Sequence, residues 1–143
     1  MFSRLEGSIW DHGVVYFTST QGGALDPSQP APAGFGDGRG QIWAYRPLTG
    51  RLRLLYESTG LGVLDLPDNV TTSPRGSLVI CEDGLDAQSF LRGLTPGGLL
   101  FDFAQNVTAG TTGDEFAGST FSHDGHTLFV NIQSGFGISF AIW

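Results

Sequence analysis

The chain has 143 residues, 40% of them hydrophobic, so it is long enough and apolar enough to bury a core. Fourteen acidic residues against seven basic ones give a net charge of −7, which argues against nucleic acid as a partner because nucleic-acid binding needs a basic surface. The single cysteine, Cys81, excludes an intrachain disulfide, and no apolar run approaches the roughly 18 residues that a membrane span needs.

The first predicted elements are a hairpin, a loop and a second hairpin. Segment 5–20 has apolar runs on both sides of a turn glycine, Gly13, and is expected to form two antiparallel strands. Residues 20–40 are rich in proline and glycine and are predicted to be an inserted loop. A second pair of strands is predicted over 41–58, around a turn near Thr49–Gly50.

The same order of hairpins recurs further along the chain. A hairpin over 67–83 is followed by a second hairpin, with a different sequence pattern, over 89–106. A third copy of the first hairpin lies at 115–133, and its turn glycine, Gly125, takes the same place as Gly76 in the second copy. Many short strands separated by glycine turns predict an all-β protein.

An inner hairpin followed by an outer hairpin is the four-stranded blade of a β-propeller. We therefore predict antiparallel β-propeller blades over 4–58, 67–106 and 115–143, which together form one partial propeller domain of about two and a half to three blades. A β-sandwich also uses short strands and frequent turns, but it does not require the same inner-then-outer order to recur. Propellers close with about four to eight blades. We therefore expect half of a six-bladed propeller, completed by further sequence or by self-association.

Propeller topology places the start of the first strand and the end of the second strand of each blade beside the central channel, on one face. Carboxylate or amide residues occupy nearly all of these positions, together with one arginine. They are Arg4, Glu6, Asp68, Asn69, Glu82, Asp83, Asp114, Glu115 and Asn131. All three histidines fall on turns at the opposite face or just beyond them.

This sorting of residue types indicates a hard cation. Carboxylate and amide oxygens without imidazole or thiolate suit Ca²⁺, which accepts about six to eight oxygen ligands, whereas zinc would require histidine or cysteine. The predicted metal ligands are Glu6, Asp68, Asn69, Glu82 and Glu115. The plainer alternative is that loops favour these polar residues, and an Asx turn after Pro67 would explain Asp68 and Asn69 nearly as well.

Arg4 and Glu6 lie two residues apart on the same face of one predicted strand. Either they form a salt bridge that serves structure alone, or Arg4 is a bidentate anion clamp beside a metal held by Glu6, and the sequence supports both equally. Cys81 lies in a strand that reads as buried, where a free cysteine is usually inert packing.

Five segments carry a family resemblance. They are, in chain order, FSRLEG, GQIWAYRPLTGRLRLLYES, PDNVTTSPRGSLVICEDG, DEFAGSTFSHDGHTLFVNIQ and ISFAIW. Together they resemble the C-terminal half of PhoX-type alkaline phosphatases, over nearly the whole chain except the insert at 20–40. The resemblance implies a secreted, bacterial six-bladed propeller that hydrolyses phosphomonoesters with calcium and iron ions. It also implies a periplasmic or extracellular location, although no export signal is visible in the opening residues.

By this resemblance, Glu6 would bridge metal ions and Arg4 would contact the phosphoryl oxygens, so both would be catalytic. The other ligands predicted above also fall where the family's ligands are expected. Ca²⁺ is thus indicated by the residues and by the resemblance, and Fe³⁺ by the resemblance alone. The first hypothesis is a metal-dependent phosphatase whose site is incomplete in this chain. The alternatives are a calcium-dependent propeller lactonase and a non-catalytic propeller fragment that acts as a binding module.

Overall fold

The computed structural model describes residues 2–23, 38–60, 62–84 and 88–143, and within them the chain forms three antiparallel sheets. Sheet one has its strands in chain order. They are β1 (Leu5–Asp11), β2 (Val14–Ser19), β3 (Gln41–Arg46) and β4 (Arg51–Glu57). A single 3₁₀ turn, Pro47–Thr49, connects β3 to β4 and ends at Gly50, which adopts a left-handed φ of 63°. This is the turn that the sequence predicts near Thr49–Gly50.

Sheets two and three repeat this arrangement. Sheet two contains β5 (Pro67–Thr72), β6 (Leu78–Glu82), β7 (Phe90–Leu94) and β8 (Leu100–Gln105), again in chain order. Sheet three contains β9 (Phe116–Phe121), β10 (Leu128–Ile132) and β11 (Ile138–Ile142). The all-β prediction is confirmed, and sheets of four, four and three strands are consistent with propeller blades. Within the described residues, no sheet closes on itself.

The turns that join the first two strands of each sheet follow the predicted glycines. Gly13 has a φ of 80°. The backbone N–H groups of Gly76 and Gly125 donate to Ser73 and Ser122 carbonyl oxygens at 2.9 Å. Glycine is favoured at these points because its φ is positive, which costs other residues steric strain. Most of the predicted insert at 20–40 lies outside the described residues, which exclude 24–37.

Strand β6 is buried along its whole length and separates two apolar cores. Its residues Leu78 and Ile80 pack toward sheet one, in a core with Ile42, Leu64 and Leu94. Val79 and Cys81 point the other way, into a core built with sheet three around Leu91, Phe116, Leu128, Val130 and Ile132. Side chains alternate across a strand, so a strand that is buried on both faces holds neighbouring sheets together from either side.

The first strands of the three sheets lie side by side, with β1 against β5 and β5 against β9. Strands β1 and β5 approach closely at Gly7, where an added Cβ would clash with the Asp68 carbonyl oxygen and lie 2.7 Å from the Asn69 Cα. Only glycine allows the two backbones to come this close. In the described part of the chain, no helix is long and apolar enough to cross a membrane.

Candidate functional site

Four carboxylates from the three sheets converge where the first strands begin. Glu6 is near the start of β1, Asp68 near the start of β5, Glu115 just before β9 and Asp83 just after β6. Electrostatic interactions link Asp68 with Glu6 and Asp83, and Glu115 with all three other carboxylates. We call this group, Glu6, Asp68, Asp83 and Glu115, the acidic end of the molecule.

Arg4 is the cation at the acidic end. Its Nε and Nη2 donate to the same Glu6 oxygen, Oε1, at 3.1 and 2.7 Å, and Nη2 also lies 3.5 Å from Asp83 Oδ2. Burial by itself would lower the pKa of the Arg4 guanidinium, but Glu6 and Asp83 outweigh that effect and raise it. About a third of the side chain is exposed (31%), so the guanidinium still faces solvent.

The backbone at Arg4 is strained. Arg4 has a φ of 49°, in the left-handed region that residues with a Cβ rarely adopt. The Thr20 N–H donates to the Arg4 carbonyl oxygen at 2.8 Å and holds the residue in place. Leu66, the residue that leads into β5, is likewise at a φ of 51°. Strain of this kind persists where the surrounding structure fixes the backbone, and such positions cluster at functional sites.

Two hydroxyl groups, one in β2 and one directly after it, tie the acidic end to sheet two. Thr20 Oγ1 donates to the Pro67 carbonyl oxygen at 2.7 Å and lies 3.1 Å from Glu6 Oε2. Thr18 Oγ1 donates to the Asp68 carbonyl oxygen at 2.7 Å. Both threonines are buried, so these bonds fix the position of Glu6 relative to the start of β5.

The acidic end carries more negative charge than its single arginine offsets. Partial burial, and then the hydrogen bond and repulsion with Glu6, raise the pKa of Asp68 to about 6. Partial burial, and then Asp83, raise the pKa of Glu115 to about 7, with smaller contributions from Asp68 and Glu6. Like charges at close range raise each other's pKa, and a positively charged ligand would lower both values.

A protein-family model for alkaline phosphatase PhoX matches residues 1–135 of the 143-residue chain. The chain belongs to the PhoX alkaline phosphatase family. The family is one of metal-dependent phosphatases, which assigns this chain to an alkaline phosphatase in general terms. No curated protein matches the chain.

The structure brings together Arg4, Glu6, Asp68 and Glu115 of the residues that the sequence predicts for a PhoX site. Asn69 adjoins them, and its Nδ2 donates to Asp68 Oδ2 at 2.9 Å. This bond stabilises the Asp68 carboxylate and opposes the rise in its pKa.

Glu82, the remaining predicted ligand, does not join the acidic end. Its Oε1 accepts hydrogen bonds from Arg92 Nε at 2.8 Å and from the Asp65 N–H at 2.9 Å. Arg92 also bonds Asp102, and its guanidinium lies 4.2 Å from the centre of the Phe90 ring. Glu82 is thus part of a largely buried ion-pair network between β6, β7 and β8. Burial raises the pKa of its carboxyl to about 7, although Arg92 lowers it.

Asp83 is the acidic residue that the sequence-based ligand set lacks. Successive side chains of a strand point to opposite faces. Glu82 follows the direction of Leu78 and Ile80, toward the core between sheets one and two, whereas Asp83 lies beyond the strand end. The sequence contains an indication of this, because side chains alternate along β6. Only one of the two adjacent acids, Glu82 or Asp83, can therefore face the predicted channel.

The donor chemistry of this PhoX chain fits a hard cation, with carboxylate oxygens and an amide at one end. The spacing is wider than a formed metal site, since among the residues described no three His, Cys, Asp or Glu side chains could hold one ion as they stand. The histidines lie on turns at the opposite end. Cys81 is fully buried, and burial raises the pKa of its thiol to about 11.

Proposed function

We propose that the acidic end is the phosphate- and metal-binding face of a phosphatase that hydrolyses phosphomonoesters. The observation that supports this most is the convergence of one arginine and four carboxylates from three sheets, two of them with raised pKa values. Family membership favours this activity over a lactonase or a binding module.

Glu6, Asp68, Asp83 and Glu115, with Asn69, are the residues that would hold the metal. Their oxygen donors suit Ca²⁺, and nothing in the set calls for iron, which stays an expectation from the resemblance. When bound, such a cation would polarise the phosphoryl oxygens and offset their negative charge. Glu82 is left out of this proposal because Arg92 already neutralises it inside the protein.

Arg4 is proposed to contact the phosphoryl group. Its Nε and Nη2 are engaged by Glu6, and within the described residues its Nη1 makes no hydrogen bond, so that edge can donate to an oxyanion. Glu6 thereby has two functions, since Oε1 orients the guanidinium while Oε2 faces Thr20. The salt bridge that the sequence allowed is present, and it positions Arg4 rather than competing with a role in anion binding.

Two substitutions test the proposal, because each should have a different effect on metal content and turnover. Glu6→Gln keeps the size but removes a charge from a hard-cation site, so metal content and turnover of p-nitrophenyl phosphate should fall together. Arg4→Lys keeps the charge but loses the planar fork, so metal content should be retained while turnover drops by about two orders of magnitude.

The matched control is Asp11→Asn, which removes a carboxylate at the opposite end of β1. It should change neither metal content nor turnover. Metal is measured by elemental analysis of the dialysed protein. Full metal content together with full turnover in Glu6→Gln would refute the assignment.

We further propose that a second copy of the chain covers the outer face of sheet one, the face that points away from sheet two. Cross-strand rows place large apolar side chains there, namely Trp10, Phe17, Trp43, Tyr45, Leu52 and Leu54. Several are exposed, Trp10 by 59%. The other face of sheet one already packs against sheet two. A further sheet, packed in the same way, would bury the exposed outer face.

Sedimentation velocity tests this contact. Wild type should self-associate, and Leu52→Glu should shift it toward monomer because it places a charge in the buried contact. Phe136→Glu, at an exposed residue between β10 and β11 of sheet three, is the control and should leave association unchanged. A wild-type monomer at all concentrations would contradict the proposal.

We also propose a periplasmic or extracellular location, on the family resemblance alone. Cell fractionation of the source organism, with activity and antibody detection in each fraction, tests it. Recovery of the protein only with cytosolic markers would overturn it.

A further inference from the structure

A cavity of about 320 Å³ opens between sheets one and two, at the end of the strands away from the acidic end. Sheet one supplies Arg46, Arg51 and Arg53, together with Tyr16 and Leu55. Sheet two supplies Leu94 and the turn at Thr95, Pro96 and Gly98. We call this cavity the arginine cleft.

The strand register explains why three arginines share the cleft. Arg46 on β3 is directly opposite Arg51 on β4, and Arg53 is opposite Ala44. Residues two apart on a strand share a face, so Arg51 and Arg53 point the same way as Leu55. Leu55 packs into the core against sheet two, which fixes that face as the one lining the cleft.

The seven basic residues of the chain divide into those with an acidic partner and those without one among the described residues. Arg4, Arg39 and Arg92 each lie beside a carboxylate. Arg46, Arg51 and Arg53, like Arg75, form no ion pair within the described residues, although the whole chain has twice as many acidic as basic residues. None of the described residues that line the cleft is acidic. Like charges directly opposite each other on adjacent strands destabilise a sheet. An anion in the cleft would remove that cost.

We propose that the arginine cleft binds a phosphoryl oxyanion carried on a small organic group. Guanidinium groups match phosphoryl oxygens in a planar, bidentate geometry, and three of them favour a multiply charged anion. The apolar side chains of Tyr16, Leu55 and Leu94 offer a wall for a hydrocarbon or aromatic body. The volume lies at the small end of the range for small-molecule sites, and it exceeds what a bare phosphate ion needs.

This inference is independent of the proposed function, because the cleft and the acidic end lie at opposite ends of the same strands. Strand β3 runs from Gln41, beside the end of β2, to Arg46 at the cleft. The two proposals can therefore fail separately.

Isothermal titration calorimetry on the whole chain in chelator-treated buffer tests the cleft. The two probes are inorganic phosphate and phenylphosphonate, a phosphoryl oxyanion on an aromatic ring that a phosphatase cannot hydrolyse. Phenylphosphonate should bind more tightly than phosphate, because only it uses the apolar wall. Equal affinity for the two probes would refute the claim that the cleft recognises an organic group on the oxyanion. If neither probe shows saturable binding, the proposed site itself is wrong.

Substitutions locate the binding. Arg51→Gln and Arg53→Gln should each weaken phenylphosphonate binding by about tenfold, the loss expected for one charge-assisted hydrogen bond. Arg75→Gln is the matched control, because Arg75 is an exposed arginine on the neighbouring β5–β6 turn that does not line the cleft. It should leave affinity unchanged. An equal loss in all three variants would show diffuse charge attraction only and overturn the proposal.

Arg4→Gln separates the cleft from the acidic end. Binding of phenylphosphonate should persist in this variant. If it is lost there and kept in Arg51→Gln and Arg53→Gln, the anion binds at the acidic end and the cleft proposal is wrong. Unchanged melting temperatures would show that the exposed Arg51 and Arg53 were replaced without loss of the fold.

Discussion

Gly7→Ala should separate the first strands of sheets one and two and so disturb the acidic end. A Cβ at residue 7 would clash with the Asp68 carbonyl oxygen and would lie 2.7 Å from Asn69 Cα and 2.9 Å from Val70 N. All three atoms belong to the backbone, so no side-chain rotation can relieve the contact. Overpacking of this kind costs about 1–3 kcal/mol.

The upper part of that range applies here because β5 cannot retreat freely. Val70 is buried in the core between the sheets, and Asp68 accepts a hydrogen bond from Thr18. A loss of about 3 kcal/mol lowers the melting temperature of a chain of this size by about 10 °C. Moving β1 away from β5 also exposes Asp68 to solvent and takes Glu6 away from it. Burial, and then Glu6, raise the pKa of Asp68, so this pKa should fall from about 6 toward its usual value.

The assay combines thermal melts with an NMR titration of the Asp68 carboxyl. Gly135→Ala is the matched control, since a Cβ at residue 135 would meet open space. It should shift the melting temperature by no more than a degree or two, in line with about ±0.5 kcal/mol for a surface change. Equal melting temperatures for Gly7→Ala and wild type, with an unchanged Asp68 titration, would refute this account of the strand contact.

Three other predictions concern charge and burial. Arg92→Leu should cost about 3–5 kcal/mol at high pH, because it leaves Glu82 charged and buried without its cation. Without Arg92 the pKa of Glu82 rises further, so the loss should shrink as pH falls toward 7 and Glu82 takes up a proton. A pH-independent loss in urea melts would contradict this. In chelator, stability should fall as pH rises from about 4 to 7, since the raised pKa values of Asp68 and Glu115 mean that the folded state holds more protons than the unfolded one. Added Ca²⁺ should flatten that slope. The double variant Asp68→Asn, Glu115→Gln should reduce it and leave the contribution of Glu82, whose pKa is also raised to about 7. Melts that match wild type in both tests would count against the acidic end. Cys81 should react with a thiol reagent only at the rate of unfolding, because it is fully buried with its thiol pKa raised to about 11.

Much of this architecture follows from local sequence. Glycines at 13, 76 and 125 lie at the same point of each repeat. Each has a positive φ, which glycine adopts without steric strain, so these turns can be predicted from the local sequence. The inner-then-outer hairpin order likewise predicts sheets whose strands are neighbours in sequence, which is what the structure shows. Arg4, Glu6, Asp68 and Glu115 could be placed together for the same reason, since each lies near the start of a first strand.

The choice between Glu82 and Asp83 was decided by tertiary packing. The two acids are adjacent, and the sequence does not state which face of β6 meets sheet one. Only when Leu78 and Ile80 are seen to pack toward sheet one is Glu82 carried into the core, where Arg92 meets it, and Asp83 left at the acidic end. The arginine cleft has the same origin, because Arg46, Arg51 and Arg53 share a cavity only through strand register and the position of sheet two. Local pattern determines which residues turn, whereas the packing of one sheet on another determines which charges meet.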